Sequence, residues 1–275
     1  MFRNLTDNIP KNAGLYSIGI MLLHLFRFNF DLLQVLLGLL VFMLSYSSVY
    51  VLNDIFDVEE DKRDERKVPR KPIALGVVNK KDAAAVAGLF LFLGLLLSVL
   101  LNLLFFCVLL SLIIINLIYS ISSPSIRKQK PEDVRPTRLK YTNLGLALVA
   151  LMQLLKIFLP WTLIIQVMQF PVFFAVGFSI IYAILFKGYK NYRTVGESVM
   201  QTPFFFGFAV AFFIASMSLY PAPLIQASIV IYLLAGIVVF RNSHLTDRKV
   251  LLLSPVYILL GIIILIFMIS TMLPN

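Results

Sequence analysis

Apolar residues run in long, almost unbroken stretches along this chain, separated by short polar or basic segments. A membrane-spanning helix needs ~20 mostly apolar residues. The stretches predict nine such helices, roughly at 12–28, 32–54, 82–101, 103–121, 142–160, 170–187, 203–220, 222–240 and 250–272. The first is diluted by Ser17, His24 and Arg27, so eight spans is the alternative count. The connections on one side are almost bare, around Asn102, Gln166 to Gln169 and Tyr220 to Pro223. Connections that short make neighbouring helices antiparallel. The pattern predicts an all-α polytopic membrane bundle forming a single transmembrane domain over 1–275, with one elaborated face and no linker or repeat.

Composition sharpens this. Apolar residues make up 60% of the chain and charged ones 14%, with a mean hydropathy of +0.91. A soluble domain has about 45–50% and about 25%, so a disordered chain or an ordinary soluble enzyme is excluded. The net charge of +10 would suggest nucleic acid in a soluble protein, but its placement points elsewhere. Of the 24 basic residues, 22 fall on one side: in the amino-terminal arm and in the connections after spans two, four, six and eight. Arg27 and Lys156 are the exceptions. The positive-inside rule makes the loaded side cytoplasmic. The amino terminus is then inside, the setting is a cell membrane, and the partners are membrane lipids rather than nucleic acid. Trp161 and the helix-end tyrosines read as interfacial anchors. Cys107, the lone cysteine, allows no intrachain disulfide and reads as packing.

The informative stretch closes span two. Val51-Leu52-Asn53-Asp54-Ile55-Phe56-Asp57-Val58-Glu59-Glu60-Asp61 continues an apolar helix and then carries five acids between positions 54 and 61. Asp54, Asp57 and Asp61 are three and four apart, a spacing that lines one stripe of a helix. Carboxylates so placed repel one another, and a hard divalent cation removes that cost. Mg2+ takes one or two protein carboxylates together with substrate phosphates and water. The plainer alternative is a solvated acidic helix end paired with Lys62, Arg63, Arg66 and Lys67, and Glu59 and Glu60 fit that description. Beyond it, Arg70-Lys71-Pro72-Ile73-Ala74-Leu75-Gly76 places two cations ahead of a Pro/Gly turn, able to fold back over phosphate oxygens.

Asn53-Asp-x-x-Asp57-x-x-x-Asp61 followed by Arg-Lys-Pro-x-x-x-Gly at 70–76 closely resembles the first signature of the UbiA superfamily of intramembrane prenyltransferases. The nine-helix layout is similar over essentially the whole chain. The resemblance implies a UbiA-like bundle with its active site on the cytoplasmic face, acting on a lipid-linked isoprenoid phosphate or diphosphate with Mg2+. It also implies that Asp54, Asp57 and Asp61 hold the metal, and that Asn53 is a phosphate or metal ligand. The second aspartate-rich motif of that family is absent: the connection after span six reads Lys187-Gly188-Tyr189-Lys190-Asn191-Tyr192-Arg193, and its only acid is Glu197.

That departure resembles the polyprenyl-phosphate phosphoribosyltransferase branch, of the decaprenyl-phosphate phosphoribose synthase type. Lys11-Asn12, Val49-Tyr50-x-x-Asn53-Asp54, Pro72-Ile-Ala-x-Gly76 and Lys190-Asn191-Tyr192 match that branch. The chain departs from it in having Asp64-Glu65 where His-Pro is usual, Thr194 where a glutamate is usual, and a longer connection after span four. The branch implies phosphoribosyl transfer from phosphoribosyl diphosphate to a polyprenyl phosphate. Phosphates would be held by Lys11, Arg70, Lys71, Lys140, Lys190 and Arg193. The alternative is prenyl transfer from a polyprenyl diphosphate to an aromatic or other small acceptor; a cation transporter is a third reading. Lys156, inside span five with Gln153 three residues before it, is a further candidate phosphate contact, because an ionisable side chain at that depth is costly. The same lysine could instead snorkel to the interface.

Overall fold

The computed structural model describes residues 12–20, 22–23, 28–62, 68, 71–121, 143–164 and 167–183, and every described regular element is helical. The chain divides into two compact units, Met1–Phe170 and Pro171–Asn275. In the first, α1 covers 12–20 and continues at 22–23. It is followed by α2 (Leu32–Phe56), α3 (Val58–Asp61), α4 (Lys80–Leu101), α5 (Leu103–Ile121), α6 (Asn143–Phe158) and two short 3-10 turns, Leu159–Leu163 and Val167–Gln169. In the second unit the described element is α7 (Val172–Tyr182). α2, α4 and α5 coincide with the expected spans two, three and four, and the described parts of α1, α6 and α7 fall within the expected spans one, five and six. Spans seven to nine lie outside the described residues.

Helix starts follow local chemistry. The Asp31 carboxylate accepts from the Leu33 amide at 2.9 Å and opens α2, and Asn79 does the same for α4 through Lys81 at 3.1 Å. Such caps occupy orphan amides of a first turn. Asn102 is the whole connection between α4 and α5. Its amide donates to Ser98 O, ending α4, while its side-chain oxygen accepts from the amides of Leu104 (2.7 Å) and Phe105 (3.3 Å), starting α5. Pro160 then tightens the end of α6 into a 3-10 turn. Among the described residues α2, α4 and α5 are long and apolar enough to cross a bilayer. The protein is an integral multi-pass membrane protein.

Small residues decide the packing. α2 lies along α4 and α5, and α5 packs on α6. On α4 the buried positions are Ala83, Ala87, Gly94 and Ser98, while Leu89, Phe92, Leu93, Leu96, Leu97 and Leu100 are exposed. Lipid is as apolar as leucine, so large side chains gain little by turning inward, and close backbone approach sets the interface. Gly94 shows how close: a Cβ there would stand 2.0 Å from Ser45 Oγ and 3.0 Å from the Ser45 amide nitrogen.

Two residues differ from expectation. Trp161 is not an interfacial anchor: it is fully buried, donates from its indole to Gly19 O at 3.0 Å, and meets Phe28 and Phe170 edge-on. The 3-10 turn after α6 carries it into the bundle, where α1 supplies the acceptor. Cys107 is exposed on α5 rather than packed.

Candidate functional site at the acidic end of α2

α2 does not run on through its acidic cluster. It stops at Phe56, and Asp57 forms a one-residue break with φ −89° and ψ 3° before α3 begins. The helical hydrogen-bond spacing nevertheless survives the break, with the Asp57 amide donating to Asn53 O (2.9 Å) and the Asp61 amide to Asp57 O (2.8 Å). Asp54 and Asp61 thus stay within reach of one cation. Lys71 supplies it, with Nζ hydrogen-bonded to Asp54 Oδ1 and 3.8 Å from Asp61 Oδ2. Asp61 is buried, at 4% exposure.

A turn presents Lys71. The amides of Leu75 and Val77 donate to Lys71 O and Pro72 O, at 3.0 Å each, and Gly76 sits at φ +76°. That left-handed conformation suits glycine because it has no Cβ. Ile73 and Ala74 anchor the turn in an apolar cluster with Val51 of α2, Val58 of α3 and Ala83 and Ala87 of α4. The cluster explains why the acidic end and the basic turn meet: four segments separated in sequence share one small core. Glu59 belongs to a different, exposed set, 3.8 Å from Lys62 and 3.3 Å from Lys80.

Inside the bundle a chain of polar groups descends from this end. Asn53 Nδ2 donates to Asn116 Oδ1 of α5 at 3.4 Å, and Asn116 Nδ2 donates to the Tyr46 hydroxyl at 2.5 Å. Lys156 Nζ lies 4.7 Å from the centre of the Tyr46 ring and donates to Gln153 Oε1 at 3.3 Å. Lys156 is only 3% exposed, so it packs within the bundle instead of reaching to the interface. Tyr46 precedes Asp54 by eight residues, about 12 Å along a helix, which sets Lys156 well below the carboxylates. Tyr50 packs edge-on against Tyr46 and its hydroxyl accepts from Asn12 Nδ2 at 2.7 Å.

The structure therefore gathers Asn53, Asp54, Asp61 and Lys71 at one end, with Asp57 at the break between them. Lys11, Arg70, Lys140, Lys190 and Arg193 lie outside the described residues. Sequence reading missed Asn116 and Tyr46. The available signal was a lone carboxamide in the apolar run Ile115-Asn116-Leu117, since polar side chains in spans mark interhelical contacts or function.

Can these residues hold a cation? Among the described residues no three His, Cys, Asp or Glu side chains cluster tightly enough to form a metal cage of their own. The donors fit a smaller demand. Two carboxylates already share one positive charge, and the buried Asn53 Oδ1 has no hydrogen-bond partner among the described residues. All are hard oxygens. That set suits a Mg2+ completed by phosphate and water rather than one enclosed by protein.

The sequence model of the UbiA prenyltransferase family matches residues 15–240. The chain belongs to the UbiA prenyltransferase family. Its fold is similar to that of a UbiA homolog from Archaeoglobus fulgidus. The structure of that homolog bound to DMAPP and Mg2+ has a TM-score of 0.61 and 18% identity, covering 96% of this chain and 98% of the other. The GPP and Mg2+ complex of the same homolog gives 0.61 and 19% over the same shares. At that identity the likeness is one of fold. No curated protein matches the chain. For this UbiA-family enzyme, the acidic end of α2 carries the residues quoted above for the family's first signature.

Proposed function

We propose that this UbiA-family chain is a Mg2+-dependent intramembrane transferase that moves a prenyl group from a prenyl diphosphate to a small acceptor, with the diphosphate held at the acidic end of α2. The carrying observation is the convergence of Asp54 and Asp61 on one cation, Lys71, at the acidic end of α2. The solved homolog with this fold binds DMAPP or GPP together with Mg2+, which supports the prenyl donor. The basic bias of one side supports a cytoplasmic site and amino terminus.

In the reaction, the bond between the prenyl C1 and the diphosphate oxygen breaks. The electron pair leaves with the diphosphate, C1 bonds to the acceptor nucleophile, and the acceptor loses its proton to solvent. Bound Mg2+ would neutralise charge on the departing diphosphate. Asp54, Asp57 and Asp61 would hold that metal. Lys71, once released from the carboxylates, would donate to a phosphate oxygen, and Lys11, Arg70, Lys140, Lys190 and Arg193 would add further cationic contacts. The depth of Lys156 suits a contact below the diphosphate.

Phosphoribosyl transfer to a polyprenyl phosphate is a second reading, favoured by one contact. Asn12 donates to Tyr50 at 2.7 Å, which joins the amino-terminal Lys-Asn pair to the Val-Tyr-x-x-Asn-Asp run. The assay that separates the two gives the purified chain Mg2+ with a prenyl diphosphate and candidate acceptors, and separately with phosphoribosyl diphosphate and a polyprenyl phosphate. Product in the first mixture is expected; product in the second alone overturns prenyl transfer. Full activity of Asp57→Asn would remove the carboxylate stripe from either mechanism.

A further inference from the structure

The turn that carries Lys71 is closed on itself. The amides of Leu75, Gly76 and Val77 donate to Lys71 O, Ile73 O and Pro72 O at 3.0, 3.1 and 3.0 Å, and the Val78 amide shares Pro72 O at 3.3 Å. A backbone paired in this way holds its side chains in fixed places relative to one another. The turn meets the bundle through two kinds of contact. Lys71 is hydrogen-bonded to Asp54 Oδ1 and stands 3.8 Å from Asp61 Oδ2. Ile73 and Ala74 are buried with Val51 of α2, Val58 of α3 and Ala83 and Ala87 of α4, while Leu75 and Val77 are exposed. A lysine ammonium rides on a flexible four-carbon stem and does little to locate its own backbone. Ile73 is the opposite case: its branched side chain is stiff at χ1, and its burial against three helices locates the turn.

We propose that Ile73 is a positioning residue: its hold in the apolar cluster keeps the Lys71 ammonium at the carboxylates of Asp54 and Asp61 and so sets the balance between metal binding and diphosphate binding. This rests on the proposed diphosphate site. An ammonium held there competes with a metal ion for the same oxygens, which lowers metal affinity. It is also a donor already in place for phosphate oxygens, which raises diphosphate affinity. Loosening the apolar foot therefore moves the two affinities in opposite directions, whereas a general loss of packing lowers both or neither.

The test uses the full chain in detergent. Mn2+ affinity without diphosphate is read by electron paramagnetic resonance, affinity for inorganic diphosphate at saturating Mn2+ by calorimetry, and the metal-free Tm alongside. Inorganic diphosphate is the group shared by both transfer readings. Lys71→Met is the control on the underlying reading, expected to tighten Mn2+ and to weaken diphosphate by about tenfold each, the scale of one charge-assisted hydrogen bond. Ile73→Ala is expected to shift both the same ways by about threefold or more, and to add nothing in the Lys71→Met background. Ile73→Val, which loses one methyl group, is expected to shift both by about twofold, and serves if the alanine variant does not fold. If Lys71→Met moves neither affinity, the proposed role of Lys71 fails and takes the inference with it. If Lys71→Met moves both while the Ile73 variants lower only the Tm, or weaken both affinities together, the inference alone is overturned.

Discussion

Lys71→Met removes the cation that Asp54 and Asp61 share while keeping the length of the side chain. With effective dielectric about 20 and the 3.8 Å separation from Asp61, the Coulomb attraction of that contact alone is about 4 kcal/mol before desolvation is subtracted. The hydrogen bond to Asp54 is charge-assisted, a class with a net contribution of about 1.5–3 kcal/mol. The Lys71 and Asp54 side chains are 22% and 12% exposed, so solvent screens the pair little. The expected loss is about 2–3 kcal/mol, or roughly 4–12 °C in Tm by the scaling for chains of this size class. A ligand at a hundred times its Kd stabilises by about 2.7 kcal/mol. In the wild type Mg2+ would compete with Lys71 for the carboxylates, and in the variant that competitor is gone. Thermal unfolding in detergent across a Mg2+ titration should therefore show a wide gap between the two proteins without metal and a narrow one at saturation. A gap of equal size at both ends would refute the idea that lysine and metal share one position, and no gap without metal would show that the ion pair contributes nothing.

Three further outcomes are expected. Gly94→Ala should lower stability by about 1–3 kcal/mol, because the new methyl would stand 2.0 Å from Ser45 Oγ and 3.0 Å from its amide nitrogen; Gly94→Ala with Ser45→Ala should recover only part of it in the same unfolding assay. Trp161→Phe should lose the indole bond to Gly19 O, a loss of about 1 kcal/mol, visible as a lower Tm with unchanged KM for the prenyl diphosphate. Lys156→Met should lower turnover without lowering Tm, since methionine fills the lysine's volume without a buried charge; a matched fall in Tm and turnover would mark Lys156 as structural.

The positions of the spans were legible because the bilayer imposes a length: 32–54, 82–101 and 103–121 were expected, and Leu32–Phe56, Lys80–Leu101 and Leu103–Ile121 are observed. The acidic stripe and the Pro72–Gly76 turn were legible as well, through spacing and punctuation. Which face of each helix turns inward was not, because lipid and protein interior are equally apolar and a leucine is at home in either. Only the exceptions carry that information: Gly94 and Ser45 at a crossing, Asn116 and Lys156 in apolar runs. The sharing of Lys71 by two carboxylates also escaped the sequence, which offers eight basic residues between positions 62 and 81 and no way to choose among them. Trp161 was misassigned for a related reason, since an indole near a helix end is common to anchors and to packed turns.

The single-residue connection at Asn102 bears on how the protein enters its membrane. Because one residue closes α4 with its backbone amide and opens α5 with its side chain, the pair leaves no unpaired polar loop between them. Under the proposed orientation, the only part of this hairpin that has to traverse the hydrocarbon during biosynthesis is that one residue. The two helices can partition into lipid together as a preformed unit, with Lys80 and Lys81 remaining on the side of synthesis as its brake.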